Sequence, residues 1–226
     1  MNPQPSAVDG PRQVRSFKRR ASRVTSTQRA ALERHWQRLG LAVDGAPLDL
    51  AGLFGRPAPV VLEIGFGMGE ATVLMAAAQP EVDLLAVDVH TPGQGNLLRL
   101  VDGAGLTNVR VADGDATVLL RESLPSASLA AVRVFFPDPW PKARHVKRRL
   151  VDAAFADLVA DRLADDGVLH VATDIPAYAE QVAAVLAAEP RLTTTDPPWR
   201  PKTRFERRGA EAGRPATDLA ARRVSR

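Results

Sequence analysis

The sequence predicts an α/β domain: a doubly wound, mostly parallel sheet with helices on both faces. Three observations predict it. Five short apolar runs recur between helical patterns from Pro59 onward, and a glycine-rich turn follows the first of them. The runs are continuous rather than alternating, as strands covered on both faces require. Strands and helices alternating in this way are joined by right-handed crossovers. In such a sheet, ligands bind outside the carboxyl ends of the strands.

Taken in order, residues 1–24 are rich in Pro, Ser and Arg with few apolar positions, the composition of a disordered basic tail. Residues 25–226 read as one domain, with 25–56 a helical extension and 57–226 the core with a basic C-terminal segment. TQRAALERHWQRL, from Thr27 to Leu39, reads as a short helix that brings Trp36 to the body. The strands follow as PVVLEI (59–64), DLLAVD (83–88), NVRVAD (108–113), LAAVRVFF (129–136) and GVLHVATD (167–174). Between Lys147 and Leu163, residues Leu150, Val151, Ala154, Phe155, Leu158, Val159 and Leu163 fall at helical spacing, which puts Lys147, Arg148 and Arg149 in the first turn of that helix. After Pro197 the pattern allows closing strands and a short terminal helix.

Composition narrows the class. A chain of 226 residues buries a sizeable core. No apolar run approaches the roughly 18 to 20 residues of a membrane span, and MNPQPSAVDGPRQVR lacks the apolar stretch of a secretion signal. The absence of cysteine removes disulfides and thiolate metal sites, so a reducing, cytoplasmic setting without metal is the expectation. The net charge of +4 hides an asymmetry: residues 1–56 and 191–226 each hold ten Lys/Arg against four Asp/Glu, and the middle holds ten against eighteen. Half of the middle's basic residues fall in the run 142–149. Three basic segments point to a polyanionic partner or to solvated tails.

The loop LEIGFGMGEA places Gly65, Gly67 and Gly69 at alternate positions after the first strand, where a ligand can approach the backbone closely. Its spacing is G-x-G-x-G with Glu63 two residues upstream, not the G-x-x-G ending of a dinucleotide fingerprint. Asp88 ends the second strand, where an acid accepts hydrogen bonds from ribose hydroxyls. Asp115 and Ala116 follow the third, and Asp115 serves equally as a helix N-cap. FFPDPWPKARHVKRR (135–149) then sets Asp138 between Pro137 and Pro139, which restrict where its carboxylate points. Trp140 reads as packing, and His145 as RNA-facing or solvated. Asp174 reads equally as a ligand-facing acid or as the N-cap of the next helix.

EIGFGMGE, VDVH, FFPDPWPKARHVKRR, VATDIPAYAEQV and WRPKTRFERRG, in this order over residues 63–209, resemble the bacterial, single-chain tRNA (guanine-N7)-methyltransferase family, within the class I S-adenosylmethionine-dependent methyltransferases. The resemblance implies a seven-stranded Rossmann-like sheet. It also implies methyl transfer from S-adenosyl-L-methionine, leaving S-adenosyl-L-homocysteine, to N7 of guanosine 46 in the tRNA variable loop. Glu63, Gly65, Gly67, Gly69, Asp88, Asp115, Ala116 and Asp138 would hold the donor, with Asp138 the catalytic acid. Lys142, Asp174, Thr203, Arg204, Phe205 and Glu206 would bind the substrate, and Arg144, His145, Lys147, Arg148 and Arg149 would contact RNA. Asp88 stands where the family often has Glu, and Arg204 where Lys is common. The partner implied is tRNA, as monomer or homodimer. Three other readings stay open: a nicotinamide oxidoreductase, an inactive RNA-binding relative, and a methyltransferase acting on an amine of DNA or protein.

Overall fold

The computed structural model describes residues 23–225. The tail expected over residues 1–24 therefore lies, through residue 22, outside the described residues. Helix α1 (Ser26–Leu39) starts at a capping box in which Thr25 Oγ1 accepts from the backbone N–H of Gln28 and the Gln28 side chain accepts from that of Thr25, satisfying two otherwise orphaned donors. Strand β1 (Gly40–Ala42) and helix α2 (Leu50–Phe54) complete the N-terminal extension. There follow β2 (Val60–Ile64), α3 (Glu70–Ala78), β3 (Asp83–Asp88), α4 (Thr91–Gly103), β4 (Val109–Asp113) and α5 (Ala116–Val118), which runs into a π-helical turn at Leu119–Ser123. The second half holds β5 (Leu129–Phe135), a 3-10 helix (Ala143–Arg148), α6 (Ala153–Arg162), β6 (Leu163–Thr173), α7 (Pro176–Ala188), β7 (Leu192–Thr195), α8 (Arg204–Glu211) and β8 (Thr217–Arg223).

These strands form one sheet in the order β1-β4-β3-β2-β5-β6-β8-β7. Strand β8 runs antiparallel to both β6 and β7, and the remaining pairs are parallel. Among the described residues the sheet has eight strands rather than seven, because β1 adds an edge beside β4, Gly40 pairing with Val111. Side chains alternate between two apolar layers. Leu62, Leu85, Val132 and Leu169 pack with Leu119, Phe155 and Tyr178 on one face, and Leu84, Ala86, Val109 and Val111 pack with Leu39, Leu97 and Leu98 on the other.

The helix expected to begin at Lys147 begins at Ala153. Asp152 caps it, accepting from the backbone N–H of Phe155 at 2.9 Å. Lys147 and Arg148 belong instead to the preceding 3-10 helix, and Arg149 leaves it in extended geometry. Leu150 and Val151 are partly and fully buried without being helical, so helical spacing extended the expected element past its true start. Strand β5 also stops one residue early, because Phe136 takes a left-handed backbone with φ 53°.

Candidate active site

Strand β2 lies between β3 and β5, so the crossovers on its two sides diverge and open a crevice at the strand ends. A cavity of about 340 Å³ occupies that crevice, within the usual size of a small-molecule site. Gly65 and Gly67, after β2, have φ of 77° and 60°, and a Cβ on either would meet nothing within 4 Å. The cradle is therefore open on the ligand side while its backbone conformation favours glycine. Gly69 differs: it caps α3, and a Cβ there would press Leu97 at 2.8 Å, so close helix packing alone calls for glycine at this position.

Asp88 closes the next wall. Its Oδ2 accepts from the N–H of Gly67 at 3.2 Å and its Oδ1 from that of His90 at 3.0 Å. Burial raises its pKa, opposed by those backbone donors. Asp115 lines the cleft and also caps α5, accepting from Thr117 N at 2.8 Å and Thr117 Oγ1 at 2.7 Å. Ala116, Phe136, Pro137 and Asp138 complete the rim. Phe136 and Trp140 both sit at positive φ, 53° and 43°. Two such residues bracketing Pro137, Asp138 and Pro139 store on the order of 1–3 kcal/mol each, a strain that concentrates at functional turns.

Glu63 lies outside the cavity wall, on the α3 side of β2, where it is 3 % exposed and its Oε2 has no hydrogen-bond partner. Burial pushes its carboxyl up to about 7, against the Thr72 hydroxyl on α3 and the charge of Arg133. The unpartnered oxygen therefore lies behind the glycine cradle and not in the cleft itself.

The substrate-side residues divide. Thr203 caps α8 through Glu206 N at 3.0 Å, and Arg204 opens that helix. Phe205 is 53 % exposed and stacks on Phe136 with centroids 5.3 Å apart, which brings α8 to the rim beside Asp138. Glu206 is turned inward. Its carboxylate takes Arg200 at 2.6 and 3.2 Å and the N–H of Thr203 at 3.3 Å. Asp174 does not cap α7, whose N-cap is Ile175. It is buried and accepts from Arg214 Nε at 3.1 Å.

Lys142 and Arg144 are exposed on the run that follows Asp138, with His145 and Arg148 half-buried. The Arg148 guanidinium stacks 4.0 Å over Trp140, and His145 meets the same indole edge-on. Burial, aided by Arg144, Arg148 and Lys142, lowers the pKa of His145. Arg149 points the other way. It donates to Pro139 O at 2.9 Å and Gln181 Oε1 at 2.7 Å, and stacks over Tyr178, so it braces the Asp138 turn from inside and is separated from the solvent-facing cations.

The residue missed by sequence reasoning is Arg200. Its guanidinium lies over Phe135 and Phe136 and pairs with Glu206 and with Asp218, the latter at 2.6 and 2.8 Å. Asp218 also binds His170 Nε2 at 2.7 Å. These partners are 18 and 48 residues apart along the chain, so no local pattern announces them. His90, by contrast, lines the cleft from within the quoted motif VDVH.

The cleft's charged side chains among the described residues are Asp88, Asp115 and Asp138, with neither Lys nor Arg among them. Such a wall repels a pyrophosphate and suits a ligand carrying positive charge, as a sulfonium donor with an ammonium group does. Sheet order, glycine cradle and acidic wall together define a class I S-adenosylmethionine-dependent methyltransferase. Solved structures agree on the fold: the 16S rRNA methyltransferase KamB aligns with a TM-score of 0.58 at 16% identity, covering 79% of this chain and 95% of that one. The aminoglycoside resistance methyltransferase NpmB1 aligns at 0.53 and 15% identity, covering 90% and 95%. Residues 57–219 match the family model described as "Putative methyltransferase". The tRNA (guanine-N(7)-)-methyltransferase of Streptomyces avermitilis is 56% identical over 94% of this chain and 76% of its own length. That of Halorhodospira halophila is 51% identical over 92% and 94%. The chain belongs to the tRNA (guanine-N(7)-)-methyltransferase family.

Proposed function

We propose that the protein transfers the methyl group of S-adenosylmethionine to N7 of a guanine in tRNA, at position 46 of the variable loop. The observation that carries this reading is the junction at Asp138. An acidic, lysine-free cleft meets an exposed basic run there, so a cationic donor and a polyanionic acceptor would be bound on either side of one turn. Gly65, Gly67, Asp88, Asp115 and Ala116 would hold the donor from the cleft, with Glu63 beneath the cradle. When bound, the donor supplies an electrophilic methyl group on a sulfonium.

Guanine N7 has an in-plane lone pair, so no base need deprotonate it. Alignment of acceptor and methyl then supplies most of the acceleration, an effect worth roughly 7–11 kcal/mol when geometry is fixed. Asp138 orients the base and stabilises the positive charge that moves onto the purine. Lys142, Arg144, Lys147 and Arg148 hold the RNA backbone, and Phe205 meets the substrate at the rim. Oligomeric state does not enter this reading, and the cytoplasm is where such a substrate is met.

The test is incubation with labelled donor and bulk tRNA, DNA or protein, followed by digestion and identification of the labelled unit. Label in 7-methylguanosine of tRNA is expected; label in another base or in an amino acid overturns the reading. Under the same conditions Asp138→Asn should lower kcat by about 10²–10³ without abolishing donor binding. Full recovery of its rate at high pH would show a proton-abstracting role instead.

A further inference from the structure

A second, smaller hollow of about 140 Å³ lies behind the donor cleft and shares Asp115 and Leu150 with it. One wall is the π-helical turn Leu119–Ser123, which carries Arg121, and the other is the end of the 3-10 helix, which carries Lys147 and Arg148. We propose that this notch binds one phosphate of the tRNA backbone and sets the register in which a neighbouring nucleotide enters the donor cleft. The proposal rests on tRNA being the substrate and assigns to Arg121 a role that lies outside the basic run.

Size selects the ligand class. The hollow is less than half the donor cavity and falls below the roughly 300 Å³ at which small-molecule sites begin, so a nucleoside is excluded and a single phosphate group suits it. Charge selects the sign. Asp115 and Asp152 also line the notch, but their carboxylates already accept from Thr117 and Phe155 as helix caps. Arg121 and Lys147 are exposed and have no carboxylate partner among the described residues.

Both walls are held in place before any ligand arrives. Arg162 is 13% exposed in its side chain and donates to Leu120 O at 2.6 Å and to Arg121 O at 3.1 Å, which fixes the carbonyls of the π turn from behind. Single π turns of this kind recur at functional sites. On the other wall, the stack on Trp140 fixes the Arg148 guanidinium. The inward bonds of Arg149 to Pro139 and Gln181 tie the same segment to the Asp138 turn. A phosphate held here would therefore be referenced to the catalytic carboxylate through a short, braced stretch of chain.

The test measures binding of full-length protein to tRNA across about 50–300 mM salt, with turnover read separately. Losing one phosphate contact removes about 0.7–0.9 from the salt slope, which corresponds to a roughly five- to eightfold weaker Kd near 0.1 M salt. Arg121→Gln should show that loss, Arg121→Lys should restore most of it, and Arg99→Gln on α4 should show none. Donor affinity should stay within twofold in all three. An unchanged salt slope in Arg121→Gln overturns the proposal, and so does a slope lowered equally by Arg99→Gln. A weakened affinity of Arg121→Gln for inorganic phosphate with an unchanged tRNA slope would assign the notch to a free anion and overturn it as well. If wild-type protein binds tRNA with the Arg121-dependent slope but forms no 7-methylguanosine, the reaction assignment fails and the notch stands.

Discussion

Glu63 and Asp88 sit near the ends of the neighbouring strands β2 and β3, one buried and the other half-buried, and burial raises the pKa of both, yet their oxygens are treated differently. Asp88 is held by two backbone N–H groups, whereas Glu63 keeps one oxygen without a partner. A carboxyl whose folded pKa of about 7 exceeds its ordinary 4.5 resists ionisation in the native state. Its contribution to stability is therefore complete below pH 4.5 and is lost as pH rises through about 7. A bound ammonium group would restore the charged form. Donor binding near pH 6 should accordingly release a proton and tighten as pH rises through 7, and Glu63→Gln should remove both effects. Calorimetry in two buffers of different ionisation enthalpy measures the proton count, and equal apparent heats for wild type would refute the link.

Among the elements, α8 depends on a clamp whose second acid lies on another element, 18 residues along the chain. Arg200 is clamped between Glu206 on α8 and Asp218 on β8 while lying over Phe135 and Phe136 at the end of β5. Removing it leaves two acids facing a poorly solvated space, a change that costs about 3–5 kcal/mol. Arg200→Ala should thus lower Tm by roughly 10 °C and raise the KM for tRNA more than the Kd for the donor, because Phe205 loses its seat on Phe136 while the cleft does not. A uniform loss of both affinities would show that the clamp supports the fold alone.

The same contrast explains what could be read in advance. The glycine loop, Asp88, Asp115 and the Asp138 turn are local patterns at strand ends, and they converge in one cleft because the sheet's connection rules bring those ends together. The inward turn of Arg149 was hidden, because its partners Tyr178 and Gln181 come from a later helix. The face of Glu63 was hidden for another reason: every residue of β2 is buried, so the strand carries no alternation that would reveal which side each residue faces.

Across the whole molecule the charge asymmetry of the sequence becomes a division of labour. Acids gather in the cleft, cations gather on the run beyond Asp138, and the closing strands are stitched by ion pairs such as Arg222 with Asp166 and Arg191 with Asp157. Asp218, on the last of these strands, is displaced downward: although burial alone would raise it, His170 and Arg200 bring its carboxyl down to about 2 from 3.8. The stability this supplies is fully present above pH 4 and is lost as pH falls toward 2, an amount of about 2 kcal/mol. Acid unfolding monitored by circular dichroism should therefore shift to higher pH in Asp218→Asn, and an unmoved midpoint would contradict the assignment.

No helix among the described residues is long and apolar enough to cross a membrane, and the sheet is closed instead by its last strand. Strand β8 enters between β6 and β7, and it carries Asp218. This insertion has a consequence for the order of events as the chain leaves the ribosome. The donor half of the site is lined by residues 64 to 150, all of which emerge before the closing strands. The acceptor half cannot settle until residue 218 emerges, because Arg200 and His170 wait for that carboxylate. A nascent chain stalled between residues 150 and 218 would carry the whole lining of the donor cleft while still lacking the clamp that seats α8.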